Sequence, residues 1–325
     1  MRQLRGGLWV IVLMTAGGCA WWSPQQVGSV TSGDFVDQGQ AYLEQGLLDS
    51  ALAAFGMALE VDPTLLDAHM NMGSIYRQHG NYDLAARCYQ RAVTLDANHF
   101  DARYAYGWMQ HLQGFLQKAI ESYLHALLIR PDSFDTHLHL AGAYLQLGQP
   151  AEALPHAKRA TELKPEHQNA WANLAVAYSL LDRHDQAVDA YRQALELGEM
   201  SEPILMGLGN AHLRTGRYEQ AIVVFRSINK GELGAAAYQR IGYAQFKMRR
   251  FADALDSFRI AIKLDGEDPV LLNGVGVCLM AMYLKYDDRD NTDDRDQALD
   301  AWRRSMQMRP DQPHIADLVD RYQHL

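Results

Sequence analysis

The sequence predicts an all-α solenoid, in which helix pairs stack without a single central core. A block of about 34 residues recurs along most of the chain. Small and aromatic residues return at the same positions of each block, and most blocks end near a proline. A unit of this length is too small to bury its own apolar face, so neighbouring units must stack.

The first two blocks show the pattern most clearly. The first contains, in order, Gly39, Tyr42, Gly46, Ala51, Phe55, Ala58 and Pro63. The second contains Gly73, Tyr76, Gly80, Ala85, Tyr89 and Ala92 at the same positions. The small residues allow two antiparallel helices to approach closely, and the aromatic residues fill the space beside them. A glycine such as Gly46 permits the turn between the helices, and a proline such as Pro63 stops the second helix.

About eight such blocks are predicted between Ser32 and Pro310. Their ranges are 32–65, 66–99, 100–133, 134–167, 168–201, 202–234, 235–268 and 269–310. The chain shortens at the junction near Gly231, and an acidic insertion lengthens the last block. Residues 311–325 predict a C-terminal capping helix, with Ile315, Leu318, Val319 and Tyr322 on one face.

These residues resemble the tetratricopeptide repeat (TPR) family at nearly all of its signature positions from Ser32 to Pro310. The resemblance implies a right-handed superhelix of helix pairs with a concave groove, which relatives use to hold peptides or helices of partner proteins. Relatives that clamp a C-terminal carboxylate use Lys and Asn in the first repeats. Here those positions hold Val36, Gln40 and Asn71, so that activity is not implied.

The N-terminus has the layout of a secretory signal, predicted over residues 1–18. Arg2 and Arg5 precede an apolar run from Leu8 to Ala16, which Gly17 and Gly18 follow. The run is too short to predict a transmembrane span. Residues 19–31 are predicted to hold the lipidated cysteine and a short tether.

Cys19 makes this segment similar to the bacterial lipoprotein signals, in which the cysteine is acylated after cleavage. Ala16 stands where those signals prefer leucine, and the alternatives are an ordinary cleaved signal or a short anchor. Several acyl chains on one cysteine give stable anchoring. Because Ala20 rather than Asp follows the cysteine, the resemblance implies the periplasmic face of the outer membrane.

The charge balance argues against nucleic acid as a partner. The formal net charge is -9, and removal of Arg2 and Arg5 with the signal moves it to about -11. Polyanions and anionic lipids are repelled by such a chain. We therefore expect a protein partner and a membrane contact through the lipid anchor.

The positions that line the concave face in this family predict a partner-binding groove. Its candidate residues are Tyr104, Trp108, His111, Leu138, Leu145, Asn210, Arg214, Tyr243 and Phe246. An apolar stripe at helical spacing is usually buried core. Because the signature residues already fill the core positions, Tyr104, Trp108, Tyr243 and Phe246 are candidate anchors for an apolar peptide or an amphipathic helix.

We expect no catalysis, no cofactor, no metal and no small-molecule substrate. His137 and His139 are two residues apart and point in different directions on a helix, unlike the i, i+4 pair of a helical zinc site. The acidic insertion Asp287–Asp296 lacks the glycine and glutamate of an EF-hand loop, and its interleaved arginines indicate a solvated loop. Cys88 and Cys278 are predicted to lie too far apart to form a disulfide.

Two function classes follow. The first is a membrane-anchored scaffold or assembly factor of the bacterial cell envelope, for example of a type IV pilus or secretion complex. The second is a non-catalytic regulatory subunit of an envelope peptidoglycan or polysaccharide enzyme complex. The first class rests on the combination of an anchor with repeats, and no single motif separates the two.

Overall fold

The computed structural model describes residues 31–228, 234–286 and 293–324. The signal at residues 1–18, Cys19, Gly231 and the first part of the acidic insertion lie outside these ranges. Within them the chain is all-α, with 17 helices and no strand. The all-α repeat fold predicted from the sequence is therefore confirmed.

The chain divides into two compact units, one ending at Leu65 and the other starting at Leu66. The first unit is a single helix pair, α1 (Ser32–Glu44) and α2 (Leu48–Val61). Thr31 caps α1 by accepting a hydrogen bond from the backbone N–H of Asp34, whose carboxylate accepts one from the N–H of Thr31. The buried residues of α2 are Ala51, Ala54, Phe55 and Ala58.

The second unit contains the remaining helices. Its first members are α3 (Leu66–Gln78), α4 (Tyr82–Leu95), α5 (Phe100–Leu112), α6 (Leu116–Ile129), α7 (Phe134–Gln146), α8 (Pro150–Leu163), α9 (Gln168–Leu180) and α10 (His184–Glu196). They are followed by α11 (Glu202–Arg214), α12 (Tyr218–Ser227), α13 (Ala235–Lys247), α14 (Phe251–Asp265), α15 (Pro269–Tyr286), α16 (Asp293–Met308) and α17 (Pro313–Tyr322).

Each helix of the second unit packs mainly against the helices before and after it in the chain. In addition, the first helices of neighbouring pairs contact one another, from α5 through α7, α9, α11 and α13 to α15. These first helices therefore form one continuous face. All nine candidate groove residues lie on helices of this face.

The turns inside the pairs repeat one backbone conformation. Gly46, Gly80, Gly114, Gly148 and Gly216 all have a positive φ just after the first helix of their pair. Asp182 and Arg249 occupy the same place in the fifth and seventh pairs, with φ of 57° and 59°. The turn is thus formed even where the sequence offers no glycine.

The C-terminal end differs from the prediction in one respect. Asp293, Asp294 and Asp296 lie in the first turn of α16, not in a loop. Acidic side chains in a first turn interact favourably with the helix dipole, which is why these residues start a helix. The predicted capping helix is present as α17, and it buries Ile315 and Val319 against a core that includes Trp302.

Candidate functional site

The aromatic candidates of α5 form a cluster with residues of α6 and α7. The Tyr104 ring lies 6.2 Å from Trp108, 6.1 Å from Tyr123 and 5.7 Å from His139, measured between ring centroids. The guanidinium carbon of Arg77 lies 4.9 Å from the centre of the Trp108 ring. Tyr104 and Trp108 are half-buried and pack against core residues, so these two predicted anchors serve partly as core.

Hydrogen bonds fix the polar atoms of this cluster. The Nδ1 atom of His139 lies 2.7 Å from the Asp135 carbonyl oxygen and 3.1 Å from the Tyr104 hydroxyl. Because a carbonyl only accepts, the Nδ1–H of His139 donates to Asp135. Burial lowers the pKa of His139 and raises that of Tyr104, so both groups are uncharged near neutral pH.

The other candidates of the middle repeats are less exposed than the sequence suggested. His111 lies 3.4 Å from the Tyr123 hydroxyl through Nδ1, and burial lowers its pKa. Leu138 packs against the core residues Phe134, Ala160 and Ala170. Leu145 is half-buried.

Asn210 and Arg214 line a cavity of about 520 Å³ between α9, α11 and α13. Its lining mixes polar and apolar groups, and we call it the polar cavity because it holds two arginines. Asn210 accepts a hydrogen bond of 2.7 Å from the Nε of Arg240. His184, at the start of α10, closes another side of the cavity, and its Nδ1 atom is buried without a hydrogen-bond partner. This cavity offers hydrogen-bond donors and positive charge.

Tyr243 and Phe246 line an adjacent cavity of about 440 Å³ between α13 and α15. Its floor is apolar, with Phe258, Val270 and Val277. Tyr243 is 45% exposed, and the Nζ of Lys247 lies 5.4 Å from the centre of its ring. The two cavities share Arg240 and Tyr243 as lining residues, so they adjoin each other, and we call them the joined cavities.

The structure thus brings four of the nine candidates together and leaves five apart. Asn210, Arg214, Tyr243 and Phe246 line the joined cavities, whereas the candidates of α5 and α7 lie elsewhere on the same helical face. Arg240 and His184 line the cavities and were missed from the sequence. Arg240 precedes Tyr243 by three residues and Lys247 by seven, which places all three on one helix face. This spacing is a sequence signal that identifies Arg240 as a candidate groove residue.

Sequence models of known families match most of the chain. Three models, each described as tetratricopeptide repeat, match the chain. One matches residues 36–86, 70–135 and 183–231, the second matches residues 132–200, and the third matches residues 235–268. Together they cover more than half of the chain. The chain belongs to the tetratricopeptide repeat family.

Solved structures share the fold of this TPR chain. A TPR protein from Parabacteroides merdae is 15% identical, with a TM-score of 0.53 over 76% of this chain and 98% of its own. PilF from Pseudomonas aeruginosa is 19% identical, with a TM-score of 0.53 over 67% of this chain and 97% of its own. At these identities the likeness shows the fold alone. No curated protein matches the TPR chain in sequence.

The described residues of the TPR chain give no indication of a metal site, because no group of three or more His, Cys, Asp or Glu side chains converges there. Cys88 and Cys278 are both free thiols. Burial raises the pKa of Cys88 to about 11 and that of Cys278 to about 12. Both thiols are therefore protonated at neutral pH. Of the helices described, none has the length and apolar composition needed to span a bilayer.

Proposed function

We propose that this TPR protein is a lipid-anchored scaffold of the bacterial cell envelope that binds a segment of a partner protein. The observation that carries the proposal is the apolar cavity of about 440 Å³ between α13 and α15, which contains the predicted anchors Tyr243 and Phe246. An exposed aromatic ring beside an apolar cavity is typical of a hot spot for protein binding. A peptide or an amphipathic helix fits a groove of this kind.

The anchor is supported by the sequence alone. Arg2, Arg5, the apolar run from Leu8 to Ala16 and Cys19 follow the order of a bacterial lipoprotein signal. We propose that Cys19 is acylated and that the mature protein lies on the periplasmic face of the outer membrane. The partner-binding repeats would then be held at the membrane by the tether of residues 19–31.

The proposed role is assembly of an envelope complex, such as a type IV pilus or secretion machine. This choice is supported by the combination of the proposed anchor with TPR repeats. The second candidate is a regulatory subunit of a peptidoglycan or polysaccharide enzyme complex. The identity of the proteins that bind the joined cavities decides between them.

Purification from bacterial membranes tests the scaffold. The tagged full-length chain is compared with Tyr243→Ala and with a control, Ile260→Ala, whose side chain is 40% exposed on α14 and lines neither cavity. We expect the wild type and Ile260→Ala to retain the same partner, and Tyr243→Ala to lose most of it. Pilus or secretion proteins among the partners support the first role, and glycan synthases support the second. Equal recovery with all three chains contradicts the proposal.

Membrane fractionation tests the anchor separately. We expect the wild type to sediment with outer membranes and Cys19→Ser to be released or to remain unprocessed, because serine cannot carry the thioether-linked lipid. Identical fractionation and identical mass of the two mature chains would contradict acylation at Cys19.

A further inference from the structure

Among the residues that the structure describes, the joined cavities are lined by basic side chains and by no acidic one. Arg214, Arg240 and His184 surround the polar cavity, and Lys247 borders the apolar one. The chain as a whole has a formal net charge of -9. A basic, carboxylate-free depression on an acidic protein selects for a negatively charged group on its ligand.

Arg240 is half-buried and has no carboxylate partner among the residues described. Its Nε donates to Asn210 at 2.7 Å, and its Nη1 donates to the Ala236 carbonyl at 2.9 Å. Both acceptors are neutral, and Arg240 forms no ion pair with a carboxylate among the residues described. Partial burial lowers its pKa, with no neighbouring carboxylate to offset the loss of hydration. A half-buried guanidinium in this state gains from a ligand carboxylate, which it binds in a planar, two-pronged geometry.

Other arginines of the chain form ion pairs with carboxylates, which Arg240 does not. Arg159 contacts Asp132 at 2.6 Å, and Arg217 contacts Asp185 at 2.7 Å. One described carboxylate contacts a lining residue: that of Asp182 lies 3.4 Å from the Nε2 atom of His184. The Asp182 side chain is 92% exposed and lines neither cavity.

We propose that the joined cavities bind one continuous partner segment that carries an internal Asp or Glu next to an aliphatic or aromatic residue. The acidic side chain lies against Arg240 and Arg214, and the apolar side chain enters the cavity between Tyr243, Phe246 and Val277. This inference rests on the proposed function and specifies the chemistry of the segment that the scaffold recognises.

The apolar half of the site favours a peptide over a polyanion. A nucleic acid has no aliphatic side chain for the cavity floored by Phe258 and Val277. The acidic chain also repels a long run of phosphates. A single carboxylate beside an apolar side chain satisfies both halves of the depression at once.

A peptide display selection on the purified full-length chain tests the inference. The library holds random segments of about 15 residues, flanked on both sides so that no free terminus is presented. Enriched peptides are then synthesised with blocked termini, and their binding is measured by fluorescence anisotropy. Each peptide is compared with variants in which its acid becomes the corresponding amide or its apolar residue becomes alanine.

The protein variants are Arg240→Gln, Arg214→Gln and the control Arg226→Gln, an exposed arginine of α12 that lines neither cavity. Circular dichroism and thermal unfolding verify their folding, and Arg214→Gln keeps the test valid if Arg240→Gln unfolds. We expect enriched peptides to share an acid near an apolar residue. Affinity should fall at least about tenfold with Arg240→Gln or with the acid-to-amide peptide, and little further when both are combined, because they remove the same contact.

Two results overturn the inference. Enriched peptides that are neutral, and that bind Arg240→Gln and Arg214→Gln as tightly as wild type, leave the scaffold in place but remove the carboxylate site. Failure of every peptide to bind, or tighter binding of single-stranded nucleic acid at the same arginines, contradicts both this inference and the peptide-binding groove of the proposed function.

Discussion

At the scale of single residues, the pairs are held by aromatic rings that lie directly on glycines. A Cβ atom added to Gly39 would come within 2.7 Å of the Phe55 ring, and one added to Gly73 within 2.8 Å of Tyr89. The same contact recurs between Gly209 and Phe225. The sequence predicted that the aromatic rings fill the space beside the small residues. In the structure, these three rings pack directly against the backbone of the glycines.

We predict that Gly39→Ala and Gly56→Ala have opposite effects on stability, although both change a helical glycine to alanine in the same unit. Phe55 is fully buried, so its ring cannot move away from a new methyl group, and Gly39→Ala should lower the free energy of unfolding by about 1–3 kcal/mol. A Cβ at Gly56 meets nothing within 4 Å, so Gly56→Ala should raise it by about 0.5–1 kcal/mol. Urea unfolding of the full chain measures both, and a loss of stability in both variants would contradict the account.

The turn residue Arg249 adopts the left-handed conformation, with φ of 59°, where five other pairs use glycine. A side chain is strained there, whereas glycine is not. We predict that Arg249→Gly raises the free energy of unfolding by about 0.5–1 kcal/mol. Arg249→Ala is the matched control, because it removes the charge and keeps the strain. If thermal unfolding shows the same gain for both variants, the backbone conformation is not the cause.

At the scale of elements, two histidines join α7 to α8. Their Nδ1 atoms lie 3.0 Å apart, and the Nε2 atom of His137 lies 2.8 Å from the Pro131 carbonyl oxygen. Because that carbonyl only accepts, His137 carries its hydrogen on Nε2, and its Nδ1 accepts a hydrogen bond from His156. Burial and the neighbouring His137 lower the pKa of His156 from 6.5 to about 4.

This pair predicts acid sensitivity between about pH 6.5 and pH 4. The lowered pKa means that the unfolded chain takes up the His156 proton before the folded chain does, so stability is full above pH 6.5 and falls as the pH approaches 4. Since His156 is partly exposed, solvent screening limits its share to about 1 kcal/mol. Burial also lowers the pKa of His137, which lies near Arg159 and Asp132.

The variant His156→Asn tests this sensitivity, because asparagine can donate a hydrogen bond in place of Nδ1–H but does not titrate. We expect the wild type to lose more stability than His156→Asn when urea unfolding is compared at pH 7.5 and pH 4.5. His137 contacts His156 directly, so the difference between the chains reports on the His137–His156 pair, whereas groups remote from the pair titrate equally in both. Parallel losses in the two chains would contradict a role for this pair.

The capping helix α17 closes the apolar end of the last pair. Ile315 and Val319 belong to the same core as Trp302, and the Tyr322 ring lies 6.3 Å from that of Trp302. We predict that truncation after Pro310 exposes this core, lowers the thermal midpoint and promotes aggregation. Replacement of Asp317, on the exposed side of the same helix, by Ala is the control. A soluble truncated chain of unchanged midpoint in light scattering and calorimetry would contradict the role of the cap.

At the scale of the whole molecule, the sequence predicted the fold well because the repeat is local. Each pair is built from contacts between residues close in the chain, and the signature positions report those contacts directly. The candidate site was predicted in part, because the joined cavities depend on packing between successive pairs. Family positions identified Tyr243 and Phe246. The lack of a carboxylate partner for Arg240 and the partial burial of Trp108 depend on neighbouring side chains that the repeat spacing does not specify.

Photocrosslinking in the living bacterium tests whether partners bind at the joined cavities between α9 and α15. Benzoylphenylalanine is placed at Tyr243, inside the depression, or at Ile260, exposed on α14 outside it. We expect a defined crosslink to an envelope protein from position 243 and none from position 260. Crosslinks of equal yield from both positions, or from position 260 alone, would contradict it.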